Sequence, residues 1–401
     1  MSLTDWVARL RKGRVVSSAV DPSPDLPERL QRKRDDAREA LREPFTGVTT
    51  DGQPIRGLFP IQRTGISLEP VVQAALAFVE SLDDTQRVAA AFAIDGDAWR
   101  AWHNIHPNLM RHGVSLADMD ERQRRLALDL VRASTSVAGF ALATDVMKLN
   151  EHVGELCGEP DEFGEWFYWM SIMGVPSATE PWGWQVDGHH LIINCFVLGD
   201  QIVLTPSFLG SEPVFAETGI YAGTRVFVDE EARGFALMSA LTPEQCDRAT
   251  IDTQLPIDVF AGSARDNLVL AHEGIPYGEL TQQQQQLLLE LIACYVGRIR
   301  PGHAEIRMDE VRTHLPQTRF AWIGKVDAES PFYYRVQSPV ILIEFDHQAG
   351  TVFDNDVPSR DHIHTLVRTP NGNDYGRDLL RAHYEQFDHA HPHSRHRRGL
   401  E

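Results

Sequence analysis

Apolar residues recur at helical spacing through much of the chain's first half, and strict alternation takes over in the middle and near the end. From about Leu68 the helical period dominates. Four segments share one start signal. Asp83-Asp84-Thr85-Gln86, Asp120-Glu121-Arg122-Gln123, Thr242-Pro243-Glu244-Gln245 and Thr281-Gln282-Gln283-Gln284 each place a capping residue three before a glutamine. In that arrangement the cap oxygen accepts from an orphaned backbone N–H while the glutamine reaches back to the cap's own N–H. The helix after Thr281 shows the spacing clearly, with Leu287, Leu288, Leu291, Ile292 and Tyr295. The four starts fall at irregular intervals, which reads against a repeat architecture.

Alternation is strongest within Trp182–Pro213. A strand is predicted over Gly188–Val197, a turn at Leu198-Gly199-Asp200-Gln201, and a second strand over Ile202–Thr205 that stops at Pro206. Successive side chains of a strand point to opposite faces. One face then carries His189, Leu191, Ile193, Cys195 and Val197 and belongs to the core. The other carries His190, Ile192, Asn194 and Phe196. Beyond the hairpin, Gly219–Val228 predicts a strand, Glu230–Ala240 leads into a helix, and residues 255–280 are loop-rich. Phe320–Gly324, Tyr333–Gln337, Val340–Phe345 and Asp361–Arg368 predict further strands, Pro370–Gly376 a turn, and Arg377–Phe387 a closing helix. The aromatic run Phe163–Met173 predicts core, with Trp182 and Trp184 as pocket wall. The fold class expected is α+β, a helical N-terminal half packed on a mainly antiparallel sheet formed by the central hairpin and the C-terminal strands.

Residues 1–60 read as a charged arm containing a helix at Leu26–Arg42, residues 61–388 as one domain, and residues 389–401 as a His-rich tail. The net charge of −19 argues against nucleic acid or an anionic membrane as partner, since both reward basic surfaces. Cys157, Cys195, Cys246 and Cys294 form no CxxC pair and read as small hydrophobes in a reducing compartment. The N-terminal residues lack the apolar run of a signal peptide, and no stretch approaches a membrane-spanning length, so a cytoplasmic location is expected. Self-association is compatible with all of this.

The chemistry concentrates in histidines. His362-x-His364 on a strand aims two imidazoles to one side, a geometry that suits a metal ion better than packing. His190 and Glu344 are the candidates to complete the set. Glu344 lies inside an apolar run, where an unpaired carboxylate is costly. Imidazoles with one carboxylate suit a divalent zinc, iron or manganese ion. Arg335 and Arg368 are candidates to orient an anionic substrate, and Asn194, Trp184 and Tyr333 to line its pocket. Alternatively, the histidines bond within the sheet and the arginines pair with Glu344, Asp346 or Asp374. His103 and His106 form a weaker metal pairing. No phosphate-binding glycine loop and no nucleophile elbow is present. The expected function is a metal-dependent enzyme acting on a small polar or anionic molecule by hydrolysis, with Glu344 as fourth ligand or general base. A non-haem iron oxygenase on the same residues and a non-catalytic ligand-binding protein are the rival readings.

Several motifs carry a family resemblance. Gly188-His189-His190-Leu191, Thr205-Pro206-Ser207-Phe208 with Gly210, and Leu241–Gln245 form one part of it. Phe320–Gly324, Tyr333-Tyr334-Arg335, Ile343-Glu344-Phe345, His362-Ile363-His364 and Asn373–Gly376 form the other. Over about Pro60 to Tyr384 the chain resembles an uncharacterised bacterial family, domain of unknown function 3500. The resemblance implies no activity, so function rests on the residues.

Overall fold

The computed structural model describes residues 27–105, 109–350, 352–353 and 355–386. The first 26 residues of the arm, His106 and the His-rich tail lie outside the described residues. The strands are β1 (Ala91–Phe92), β2 (Val114–Ser115), β3 (Tyr168–Gly174), β4 (Trp182–Gly188), β5 (Leu191–Leu198), β6 (Gln201–Val203) and β7 (Ser207–Ser211). They continue as β8 (Thr250–Asp252), β9 (Ile275–Pro276), β10 (Arg319–Gly324), β11 (Phe332–Gln337), β12 (Leu342–His347) and β13 (Ile363–Arg368). All join one sheet with the central order β3-β4-β5-β7-β13-β12-β11-β10. Every pairing is antiparallel except β1 with β3 and β8 with β10, so the expected α+β architecture holds.

The helices are α1 (Glu28–Leu41), α2 (Glu69–Ser81), α3 (Asp84–Ala90), α4 (Glu121–Ser134) and α5 (Val137–Cys157), then α6 (Val228–Ser239), α7 (Pro243–Ala249), α8 (Gln282–Val296), α9 (His303–Thr313) and α10 (Arg377–Gln386). All four predicted capping boxes form, at the starts of α3, α4, α7 and α8. The Asp-started pair is as complete as the Thr-started pair, because either side-chain oxygen reaches the same backbone N–H.

The four starts do belong to a repeat. Their spacing is irregular because they form two consecutive pairs, one in each half. In the first half Gln123 Nε2 donates to Ser81 O (2.9 Å) and to Gln86 Oε1 (2.7 Å). In the second half Gln284 Nε2 donates to Ala240 O (2.7 Å) and to Gln245 Oε1 (2.8 Å). The strands repeat as well. β1 runs parallel and β2 antiparallel to β3, as β8 and β9 do to β10. The ladder β3-β4-β5-β7 is matched by β10-β11-β12-β13, and the halves meet where β7 pairs β13. Gly113 and Gly274 hold matching positions with φ +90° and +92°. A Cβ there would fall 2.6 Å from Met170 O and 2.2 Å from Phe320 O respectively. Among the described residues, the elements from Glu69 to Ser211 and those from Val228 to Arg368 thus repeat one arrangement, joined edge to edge.

The two faces of the sheet differ. Leu191, Ile193, Cys195, Leu209, Ile343, Phe345, Ile363 and Val367 face the helices and share one core with residues of α2, α4, α5, α6 and α8. Ile192, Phe196, Phe208, Leu342 and Leu366 face the other way, against loop residues such as Phe59, Trp102 and Val259 and against Leu379 of α10. The face assignment predicted for the hairpin holds from Leu191 onward.

Three details differ from the expectation. The Gly188–Val197 run is not one strand, because His189 and His190 form the two-residue turn between β4 and β5. The chain also resumes as a strand after Pro206, forming β7. The Gly219–Val228 stretch is not a strand; it is turn and loop with one bridge between Phe215 and Arg225. Its Gly219 and Gly223 adopt φ of +79° and +94°, which a regular strand excludes.

Candidate metal centre

Three imidazoles meet on the loop-covered face. His190 comes from the first half's β4–β5 turn, and His362 and His364 come from the start of β13 in the second. The Nε2 atoms form a near-equilateral triangle: 3.2 Å between His362 and His190, 3.0 Å between His362 and His364, and 3.1 Å between His364 and His190. All three residues are buried. Among the described residues this is the group of three or more metal-ligating side chains whose donor atoms converge.

Local structure explains how they meet. His190 adopts φ +60°, unusual for a side chain with a Cβ. Its backbone N–H donates to Asn104 O (3.1 Å) and its carbonyl accepts from Gly210 N–H (2.8 Å). Those bonds hold the turn in a conformation it would otherwise avoid, at a cost of order 1–3 kcal/mol. The ring stacks on His189, with centroids 4.0 Å apart. His189 itself is not part of the triangle; its Nδ1 meets Asn150 Oδ1 at 2.8 Å. Opposite His364 in the ladder lies Gly210. A Cβ there would sit 2.8 Å from His364 Cδ2 and 3.2 Å from His190 Cδ2. Glycine is what lets the two rings close over the strand. Gly210→Ala is therefore expected to weaken metal binding at least about tenfold in a protein that still folds, since a displaced ligand costs that order. Metal titration of the variant checks this.

The outer nitrogens fix the tautomers. His362 Nδ1 lies 2.8 Å from Ala349 O, and a carbonyl can only accept, so Nδ1 carries the proton. His364 Nδ1 lies 2.8 Å from Asp258 Oδ1, again an acceptor. Both Nε2 lone pairs then point into the triangle. A carboxylate behind a ligating histidine orients the ring and strengthens it as a ligand. Glu212 provides a second one, with Oε2 3.5 Å from His362 Nδ1. Burial, joined by the neighbouring rings, holds His190 and His362 well below the ordinary histidine range, so both are neutral near pH 7. Burial works to raise the Asp258 carboxyl, but His364, the Val259 N–H and Asn104 together outweigh it and the group stays below its ordinary value. Asp346, directly across the ladder from His364, is pushed well up by burial and by the nearby Asp258 and Glu344 carboxylates.

The other predicted site residues lie outside the triangle. Glu344 is not among the converging ligands. Its oxygens accept from Phe260 N–H (2.5 Å), Ala261 N–H (3.0 Å) and Tyr333 O–H (3.2 Å), which fastens the covering loop to the sheet. Arg335 donates to Ala271 O and pairs with Glu273 at 3.1 Å. Arg368 is locked between Asp266 (2.9 Å) and Asp374 (3.0 Å). Asn194 is held by Gln185 (2.5 Å) and Pro206 O (2.9 Å). Trp184 is no pocket wall. It faces the helices and donates from Nε1 to Ser134 Oγ at 3.1 Å. Asp258, Glu212 and Gly210 were not singled out as site residues. Asp258 sits in an aperiodic loop and Glu212 at a strand end, and neither carries a pattern that a single sequence exposes.

The family model described as "Protein of unknown function (DUF3500)" matches residues 64–377. No curated protein and no solved structure matches the chain.

Proposed function

The chain belongs to DUF3500, a family of unknown function, and from the site alone we propose that it is a metal-dependent enzyme acting on a small polar or anionic organic molecule, with hydrolysis as its chemistry. One observation carries the reading. Two imidazoles whose outer nitrogens are tied to acceptors aim their Nε2 lone pairs at one point, and His190 brings its own Nε2 to the same point. The facing lone pairs of His362 and His364, 3.0 Å apart, repel unless a proton or a cation sits between them, and a cation at the centre engages all three rings at once. The 3.0–3.2 Å edges are close to the roughly 3.3 Å expected for nitrogens about 2.0–2.1 Å from a tetrahedral ion. Three neutral ligands leave such an ion its full charge and an open position, and when bound it supplies a water acidic enough to attack near neutral pH.

Three features of the chain would serve that chemistry. Asp258 and Glu212 keep the His364 and His362 rings oriented, and burial keeps His190 and His362 unprotonated and ready to ligate. Side-chain exposure of 33% at Asp258 marks the side from which substrate would approach. The all-imidazole set favours hydrolysis over the iron oxygenase reading, since the two-histidine, one-carboxylate triad of those enzymes needs a carboxylate that Glu344 does not supply here.

The test compares metal-loaded with chelator-stripped protein on activated esters such as p-nitrophenyl acetate. The reading expects turnover only when loaded, restored by zinc, and equal with or without dioxygen. Stripping is also expected to lower the melting temperature by roughly 5 °C, as loss of a ligand present well above its dissociation constant does. Turnover that survives stripping, or that needs dioxygen, contradicts it.

A further inference from the structure

We propose a second small-molecule site, for a hydroxylated organic anion, in a cavity of ≈ 330 Å³ beside the β9–β10 edge of the second half. It shares no lining residue with the three histidines. Three observations point to the ligand.

The first is charge. In a chain of net charge −19, no carboxylate lines this cavity, whereas Arg319 and His272 do. Arg319 is half-buried, and its Nη1 donates to Gly274 O at 3.0 Å. Arg319 pairs with no carboxylate among the described residues, which leaves its remaining N–H donors for something else. The other buried arginines of the sheet, Arg335 and Arg368, each have an acid. The His272 ring is pushed down from its ordinary range, first by burial and then by the Arg319 charge, which leaves Arg319 as the fixed charge of the lining.

The second is rigidity. Pro276, Pro316, Pro339 and Pro370 form walls whose backbone is fixed in advance, and Thr49 is clamped by bonds to Leu268 O (3.0 Å) and from Leu270 N–H (2.8 Å). A cavity that does not have to be ordered on binding loses less affinity to entropy.

The third is an unfilled bond. Gln337 is 3% exposed and lines the cavity. Its Nε2 donates to Leu270 O, while its Oε1 has no partner among the described residues. That oxygen is closed off from solvent, so a ligand hydroxyl reaches it only when the side chain turns toward the cavity. Hydroxyls of Thr49, Thr50 and Ser338 line the same space. A carboxylate or phosphate group on Arg319 with hydroxyls along Gln337 and the threonines satisfies the set.

Calorimetric titration of the full chain with gluconate, inorganic phosphate and sorbitol tests this. Gluconate and phosphate should bind and uncharged sorbitol should not. Arg319→Gln should weaken gluconate about tenfold or more, the order expected for a charge-assisted pair. Arg319→Lys, which keeps the charge, should retain part of the affinity. Metal content should be unchanged in both variants, which separates this site from the histidine site and from general misfolding. Sorbitol binding as well as gluconate, no binding of either anion, or a tight-binding Arg319→Gln variant with an intact melting curve would each overturn the proposal.

Discussion

His364→Ala is expected to weaken zinc or iron binding by more than the roughly 10–100-fold that loss of an outer-shell partner costs. Content should fall from near one ion per chain to background. His364 contributes one corner of the triangle and links it to Asp258. Its removal takes away a ligand and its orienting carboxylate together. Asp258→Asn, which keeps the ligand but loses the charge behind it, should fall inside that 10–100-fold range. The fold should survive both changes, because Asp258 is partly open to solvent and can be hydrated when its partner is gone. Metal analysis with a melting curve separates the outcomes. A variant that keeps its metal contradicts the reading, and so does one that loses its structure without ever having held an ion.

Arg368→Ala is expected to cost about 3–5 kcal/mol of stability, the cost of breaking a buried ion pair. That is a large share of the ~5–15 kcal/mol holding an ordinary domain together. The guanidinium is fully buried, paired with Asp266 and Asp374, and donates to Ala261 O (2.6 Å) and Gly262 O (2.9 Å). Burial alone would disfavour its charge, but Asp374 and Asp266 more than compensate and keep it protonated. Removing it takes the charged partner from buried Asp374, which keeps only the Thr369 N–H, and one of the charged partners from Asp266, and it leaves two carbonyls of the covering loop without that donor. Arg100 still reaches Asp266 at 2.8 Å, so the loss should be smaller for Asp266 than for Asp374. Adding Asp374→Asn to the arginine variant should therefore recover part of the stability. Urea unfolding checks this, and a loss under about 1 kcal/mol would show the network to be dispensable.

Much of the candidate site was legible, and one part was legible for the wrong reason. Alternation placed both histidines of the His-x-His pair on one side of a strand, and β13 does so. It also separated the core face of β5 from the other face. His190 was expected from a strand position beside Asn194. It reaches the site from a turn at positive φ, a conformation that no periodic pattern announces. Alternation gives the face of a residue but not its distance along the sheet. Glu344 pairs with Leu366, one ladder step from His364, and Arg368 lies two steps away. At ~3.3 Å per residue those steps put them about 7 and 13 Å off, too far to share an ion. The repeat stayed hidden because its halves share positions rather than identities. The β4 segment WGWQVDG matches the β11 region FYYRVQS only in apolar pattern, and Asn194 occupies the place of Glu344. Differing loop lengths between the halves then shift the intervals. The centre itself straddles the join of the two units, and neither unit alone shows it.

Anomalous diffraction from crystals of the untreated protein, recorded across the zinc and iron absorption edges, bears most directly on the central claim. The account predicts one strong peak about 2.0–2.2 Å from the Nε2 atoms of His190, His362 and His364 together. Three imidazoles closed on one another with no peak between them, or a bound ion held elsewhere in the chain, would contradict it.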